Sequence, residues 1–252
     1  MNDTPAIWVR DLVYQVDGKT ILKGVSLRVE QGEVVGIMGA SGSGKTTLLR
    51  CISGLVQATA GEVWVEGVNI APLPEHEKMK VRLRLGIVFQ YSALFDFLTV
   101  YENVAFGLER HRRLPRKELD RIVSERLAWV GLDGTQKLYP SQLSGGMRKR
   151  VGLARALAMD PHIVLFDEPT SGLDPVNAYQ IDQLILRLNR ELGLTAVVVS
   201  HDVVSLMRTT HKIAMVEAGE IIAEGTPEAI RHCDHPKVQA FLKMASSEQL
   251  ET

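Results

Sequence analysis

The chain has 252 residues, 29 Lys and Arg against 30 Asp and Glu, 45% hydrophobic and 23% charged positions, and a formal net charge of −1. That balance suits a globular protein and gives no electrostatic case for nucleic acid or for an anionic membrane surface. No run approaches the ~18 uninterrupted apolar residues of a bilayer span, and Cys51 and Cys233 stand far apart without metal-ligand spacing, as suits a reducing compartment.

In chain order, "AIWVRDLVYQV" (6–16), "VSLRVEQG" (25–32) and "GEVWVEGVNI" (61–70) alternate apolar with polar residues, as antiparallel strands covered on one face do. "EVVGIMG" (33–39), "LGIVFQ" (85–90), "HIVLFDE" (162–168) and "TAVVVSH" (195–201) are nearly continuous in apolar residues. Such strands belong to a sheet buried on both faces, hence a parallel one with helices outside. Residues 91–160 follow a mostly helical pattern, and "IAMVEAGEIIAEG" (213–225) reads as a late hairpin. The expectation is an α/β fold: one domain over 1–245 with a mostly parallel sheet, an antiparallel β flank and an inserted helical subdomain at about 91–160, then a tail, 246–252. The opening residues, "MNDTPAIWVRD", lack the basic-then-apolar order of a signal peptide. The expected location is therefore cytosolic, with docking to a membrane protein left open.

Three motifs carry chemistry. "GASGSGKTT" spans Gly39, Ala40, Ser41, Gly42, Ser43, Gly44, Lys45, Thr46 and Thr47, and fits G-x-x-x-x-G-K-[ST] between an apolar strand and a helical run. Its glycines let backbone N–H groups turn inward around phosphate oxygens. Lys45 then reaches the β- and γ-phosphates, Thr46 ligates Mg²⁺, and the following helix adds its positive end. This loop alone does not separate kinases, GTPases and ATPases. "IVLFDEP" (163–169) ends a strand in two carboxylates. Asp167 is placed to hold Mg²⁺ through its water shell, and Glu168 to orient and polarise an attacking water. In "LSGGM" (143–147), Ser144 is a good N-cap for the basic run that follows, and Ser144 with the amides of Gly145 and Gly146 makes a second anion site. Two phosphate sites call for two ligands, or for one ligand shared by two chains.

With these motifs in this order, joined by Gln90, "SGLD" (171–174) and "SHD" (200–202), the chain resembles the ATP-binding cassette (ABC) ATPases over essentially its whole length. The resemblance implies the P-loop NTPase fold and a head-to-tail homodimer with two ATP molecules sandwiched, each between the phosphate loop of one copy and Ser144–Gly146 of the other. Gln90 matches the residue that touches Mg²⁺ and the water and links them to a transport partner. Asp174 matches the loop that crosses to the other subunit, and His201 the switch histidine on the γ-phosphate. There are two departures. Met147 stands where the family usually has Gln. Val16 stands where many relatives stack an aromatic on adenine, and Tyr14, two residues earlier on the same strand face, is carried over as a contact to adenine, with packing alone as the alternative.

Six aromatic side chains crowd into residues 89–106: Phe89, Tyr91, Phe95, Phe97, Tyr101 and Phe106. "TVYE" (99–102) reads as a capping box, with Thr99 as N-cap and Glu102 at N3. The helix it opens should turn Val100, Val104 and Leu108 to one face, with Tyr101 beside them. "YSALFDFL" (91–98) precedes it as a loop with exposed apolar residues, a mark of a contact site. Phe89 and Val104 are expected in the core. In ABC transporters this region receives a short helix of the membrane subunit. "SALFDFLTVYENVAFGL", "VVVSHD" and "HPKVQAFL" (235–242) also resemble the ATPase of MCE-type (Mla-like) phospholipid transporters. That implies an inner-membrane permease, an MCE substrate-binding protein, an accessory cytoplasmic subunit, no nucleic acid, a peripheral place on the cytoplasmic face, and a role in outer-membrane lipid asymmetry. The alternatives are an importer of another class, such as for polar amino acids, or a soluble ABC protein of cofactor assembly.

Overall fold

The computed structural model describes residues 4–248, with side chains to residue 245. β1 (Ile7–Val16) and β2 (Lys19–Val29) form an antiparallel pair, and β3 (Val34–Met38) then enters a second sheet. The phosphate loop leads into α1 (Lys45–Ile52), after which β4 (Ala60–Val65) and β5 (Val68–Asn69) complete a four-stranded flank in the order β2-β1-β4-β5. The flank starts earlier than its alternation suggests. β2 begins at Lys19, because residues 19–23 pair with Val13–Val16 of β1. β1 itself is irregular at Asp11, whose φ is 46°, and its register slips between Val9 and Leu12. A bulge of this kind re-aims the residues that follow it.

α2 (Glu75–Arg82) and β6 (Leu85–Val88) come next, and the strand stops before Phe89. Phe89 is therefore not core: it is 38% exposed, whereas Val104 is fully buried as expected. α3 (Val100–His111) opens with the complete Thr99/Glu102 capping box. Val100, Val104 and Leu108 are all buried, each worth ~1.5–3 kcal/mol. Tyr101 lies against them and donates its hydroxyl to Asp120 Oδ1 at 2.7 Å. α4 (Arg116–Trp129), a short 3-10 turn at Pro140–Gln142 and α5 (Gly145–Leu157) follow, with no strand between residues 91 and 160.

β7 (Ile163–Asp167), α6 (Pro175–Leu192), β8 (Thr195–Val199) and α7 (Val203–Thr209) alternate next. β9 (Lys212–Glu217) and β10 (Glu220–Gly225) form the late hairpin, turned by Ala218 and Gly219, both at positive φ. α8 (Pro227–Arg231) and α9 (Pro236–Glu248) end the described chain. α9 runs past residue 245, where the tail was expected to begin, and residues 249–252 lie outside the described residues. The second sheet has the order β10-β9-β3-β8-β7-β6, parallel throughout except for β10.

Alternation across this sheet explains its continuous apolar strands. Val34 and Met38 of β3, Val164 and Phe166 of β7, and Ala196 and Val198 of β8 face a core shared with α3, α5 and α6. Val35, Ile37, Ile163, Leu165, Val197 and Val199 face the other way, into a core closed by α1 and the antiparallel flank. Because β6, β7, β8 and β3 are parallel neighbours, their carboxyl ends meet at one edge. Ligands of open parallel sheets bind at such edges.

Candidate functional site

Each of those four strand ends delivers a group: Gln90 after β6, Asp167 and Glu168 at the end of β7, His201 after β8 and the phosphate loop after β3. The loop takes a shape only glycine allows at its key points. Gly39 has φ 148°, and a Cβ there would lie 2.1 Å from the Val216 carbonyl oxygen. Gly44, at φ 112°, is the N-cap of α1 and supplies no side-chain cap, and no acidic residue sits in the first turn. The helix start is left with unsatisfied N–H groups and a positive partial charge, which suits an anion. Ser43 Oγ is also buried without a hydrogen-bond partner. An orphaned hydroxyl and bare amides around one loop fit phosphate oxygens.

Lys45 is folded over this loop. Its Nζ donates to the carbonyls of Gly39 at 2.7 Å and Ala40 at 2.9 Å. Burial pushes its pKa down, opposed by the charges of Glu168 and Asp167. An ammonium held partly desolvated gains most from an arriving polyphosphate. Thr46 donates its hydroxyl to Asp167 Oδ1 at 3.0 Å. Burial pushes the Asp167 pKa up, with the Thr46 hydrogen bond working against it. Thr46, Asp167 and Gln90 are oxygen donors of the kind Mg²⁺ takes. Among the described residues no cluster of three or more His, Cys, Asp or Glu could cage a metal by itself. A small hard ion that keeps several waters and shares substrate phosphates suits this sparse donor set.

Glu168 is buried to 9% exposure and has φ 49°, the left-handed region that a non-glycine residue enters at a cost. Its backbone is tied on two sides. Its N–H donates to the Val199 carbonyl at 2.9 Å, and its own carbonyl accepts from Lys149 Nζ at 3.1 Å. The carboxylate Oε2 lies 2.8 Å from His201 Nδ1 and 3.4 Å from the Ser200 hydroxyl. Gln90 donates from Nε2 to Ser171 Oγ at 3.4 Å. Gln90, Glu168 and His201 line one cavity of about 800 Å³ with Ala40, Ser41, Gly42, Gly44, Lys45, Thr46 and Thr47. Tyr14 and Val16 line the same cavity.

The second anion motif is well formed but apart from that cavity. Ser144 caps α5, its Oγ accepting from the Met147 N–H at 3.2 Å. Gly145 and Gly146 form the first turn, with no acidic residue in it, and face Leu173 of the neighbouring loop and Asn177 of α6. Asp174 caps α6 through the N–H groups of Val176 at 3.1 Å and Asn177 at 3.0 Å. The Asn177 side chain and backbone hold its carboxyl below the usual range. Ser144, Gly145, Gly146 and Asp174 do not line the phosphate-loop cavity within one chain.

Sequence reasoning missed three side chains that brace the site. Lys149 is 7% exposed, and its Nζ bridges the carbonyls of Gln90 and Glu168. In "MRKRV" it looks like one more solvated base, but helix phase sets it on one face with Gly146 and Leu153. Asn103, fully buried, donates from Nδ2 to the carbonyls of Phe95, Leu98 and Thr99 at 3.0–3.1 Å and accepts from the Phe95 N–H at 2.9 Å. Arg155 reaches the carbonyls of Ser92 at 2.7 Å and Ala93 at 2.6 Å. Three side chains from α3 and α5 thus fix the loop 90–98. On it Tyr91 is 86% exposed and Phe97 77%, while Leu94 and Phe95 are half-buried.

Comparison with known proteins bears on this arrangement. The model of the family described as "ABC transporter" matches residues 22–171, from β2 through the acid pair. The ATP-binding protein MlaF of the intermembrane phospholipid transport system of Haemophilus influenzae is 41% identical over 94% of this chain and 90% of its own. The chain belongs to the ABC transporter ATPases. The methionine import ATP-binding protein MetN of Carboxydothermus hydrogenoformans is 40% identical over 97% of this ABC ATPase and 73% of MetN. A solved dimer of the ATP-binding cassette MJ0796, in a post-hydrolysis state with ADP and Pi, is 35% identical. It superposes with a TM-score of 0.81 over 88% of this ABC ATPase and 98% of that chain. Among the described residues no helix is long and apolar enough to cross a membrane.

Proposed function

We propose that two copies of this ABC ATPase close head to tail on two ATP molecules and, by closing, drive an inner-membrane permease that moves phospholipid. The observation that supports the phospholipid reading is the likeness to MlaF along nearly the whole of both chains. The likeness to MetN makes methionine import the competing outcome. Lys45 and the amides of 39–47 would hold the triphosphate. Thr46, Asp167 and Gln90 would hold Mg²⁺, which when bound offsets the charge on the phosphate oxygens. Glu168 accepts the proton of the attacking water, and His201, 2.8 Å from it, is placed to sense the γ-phosphate and steady the carboxylate. Lys149 ties the Glu168 and Gln90 backbones together, so a shift at either is felt at the other.

Ser144, Gly145, Gly146 and Asp174 act in this reading on the partner's nucleotide, which is why they stand outside their own chain's cavity. A mixture of Ser144→Arg and Lys45→Ala chains then leaves one composite site intact in each heterodimer. Labelled heterodimers should bind more ATP than either homodimer. Heterodimers that bind no more ATP than either homodimer remove the shared site.

The permease contact falls on the aromatic loop. Phe95, Phe97, Leu98, Glu102, Phe106 and Arg110 line a groove of about 430 Å³. The Phe95 ring packs 4.6 Å from Phe106 and 5.7 Å from Phe97, centroid to centroid. Burying Tyr91 and Phe97 against a partner is worth ~1.5–3 kcal/mol each before association costs. Tyr91→Asp and Phe97→Asp are better probes than changes at the half-buried Leu94 and Phe95. They should leave folding and ATP binding intact and release the subunit from membranes. Membrane retention places the contact elsewhere, and a co-purifying permease for a polar solute removes the lipid reading.

A further inference from the structure

The phosphate loop lines part of the 800 Å³ cavity, and much of the remaining lining is apolar. Tyr14, Val16 and Ile21 of the β1–β2 hairpin, Val56 after α1, and Phe241 and Met244 of α9 supply that apolar lining. Two observations make α9 part of the site. The first is its fixed seat. Val238 is fully buried, Gln239 donates from Nε2 to the carbonyls of Arg231 at 3.1 Å and Cys233 at 2.9 Å, and Lys237 Nζ lies 3.0 Å from Glu217 Oε1 at the end of β9. The turn after Glu217 is bonded to the site from the other side. The Gly219 N–H donates to the Ser43 carbonyl at 3.0 Å, and its carbonyl accepts from the Lys23 N–H at 2.9 Å. α9, the β9–β10 turn, the phosphate loop and β2 are therefore one packed unit. The second observation is how little platform the hairpin supplies: Tyr14 is the one ring among its lining residues, and Val16, 42% exposed, adds none.

We propose that Phe241, with Met244 one turn further along the same face of α9, is the wall against which the nucleotide base packs. A base is a flat π-system whose faces are poorly served by water. A phenyl ring and a thioether are side chains that bind such a face, by offset stacking and by sulfur–aromatic contact. A base anchored to α9 and phosphates anchored to the loop make the C-terminal helix part of the nucleotide site as well as a structural end-piece. The proposal rests on the nucleotide reading of the phosphate loop and assigns its base subsite.

Titration calorimetry of the full chain with ADP and with tripolyphosphate, each with Mg²⁺, separates the two parts of the cavity lining. Phe241→Ala should weaken ADP by about ten-fold and leave tripolyphosphate unchanged. Phe241→Trp should keep ADP within about two-fold of the parent and change its indole fluorescence on adding ADP but not tripolyphosphate. Wild-type ADP affinity in Phe241→Ala overturns the proposal. So does an equal loss for both ligands, which would make α9 a support for the loop alone. Should Phe241→Ala fail to fold, a Phe241→Trp fluorescence unmoved by ADP overturns it equally. A parent chain that binds neither ligand defeats the phosphate-loop reading, and this proposal with it.

Discussion

Lys45→Ala should abolish ATP hydrolysis and weaken ATP binding by about 10–100-fold, the loss expected for charge-assisted hydrogen bonds worth ~1.5–3 kcal/mol. Turnover should fall further, by on the order of 10²–10³-fold beyond the binding loss, because the same charge meets the phosphate oxygens as the bond breaks. The fold should survive. The ammonium is partly desolvated in the free protein and its pKa is depressed by burial, so the charge itself contributes little stability there. Its removal does leave the Gly39 and Ala40 carbonyls without their donor. Ala40 lines the open cavity, where water can replace that donor, so the melting temperature without nucleotide should fall only modestly, while the rise on adding ATP should shrink. Differential scanning fluorimetry with and without ATP, beside a phosphate-release assay, reads both quantities. Unchanged turnover in the variant would remove Lys45 from the site.

What the sequence conveyed, it conveyed through patterns with a single physical meaning. Continuous apolar runs at 33–39, 162–168 and 195–201 read as strands buried on both faces, and alternate residues of β3, β7 and β8 do serve two separate cores. Ser144 and Thr99 were legible as N-caps because a hydroxyl before a helical run has few other uses. The phosphate loop, the acid pair and His201 were legible because their spacing repeats a known order, and parallel neighbouring strands then bring them to one edge. What stayed hidden depends on long-range contact. Lys149 reads as one base in a run of three, and only packing shows its ammonium between two carbonyls. Phe89 follows an apolar strand, yet β6 ends one residue earlier and leaves it at the surface. The slip at Asp11 needs a positive φ that no residue type announces. Nothing in "HPKVQAFL" says that Phe241 lines the same cavity as Ala40 and Lys45, far earlier in the chain.

Glu168→Gln separates chemistry from binding. The substitution keeps the side-chain length and an acceptor for Ser200 and His201, and Gln tolerates the φ of 49° as Glu does. The backbone ties to Val199 and Lys149 do not involve the carboxylate. What goes is the charge and the basicity that, in the proposed reading, draw a proton from water, a contribution of about 10²–10⁴-fold for a general base. Phosphate contacts through Lys45 and the loop amides are untouched, so ATP should bind at close to the parent affinity and turn over slower by that factor. If closure of the dimer needs bound ATP and opening needs its hydrolysis, the variant should accumulate as an ATP-bound dimer where the parent cycles. Size-exclusion chromatography with light scattering, with and without Mg-ATP, counts the dimer, and single-turnover kinetics measure the chemical step. A variant that hydrolyses ATP at the parent rate removes Glu168 from the reaction. A variant that is slow but stays monomeric with ATP leaves the base in place and breaks the link between hydrolysis and opening.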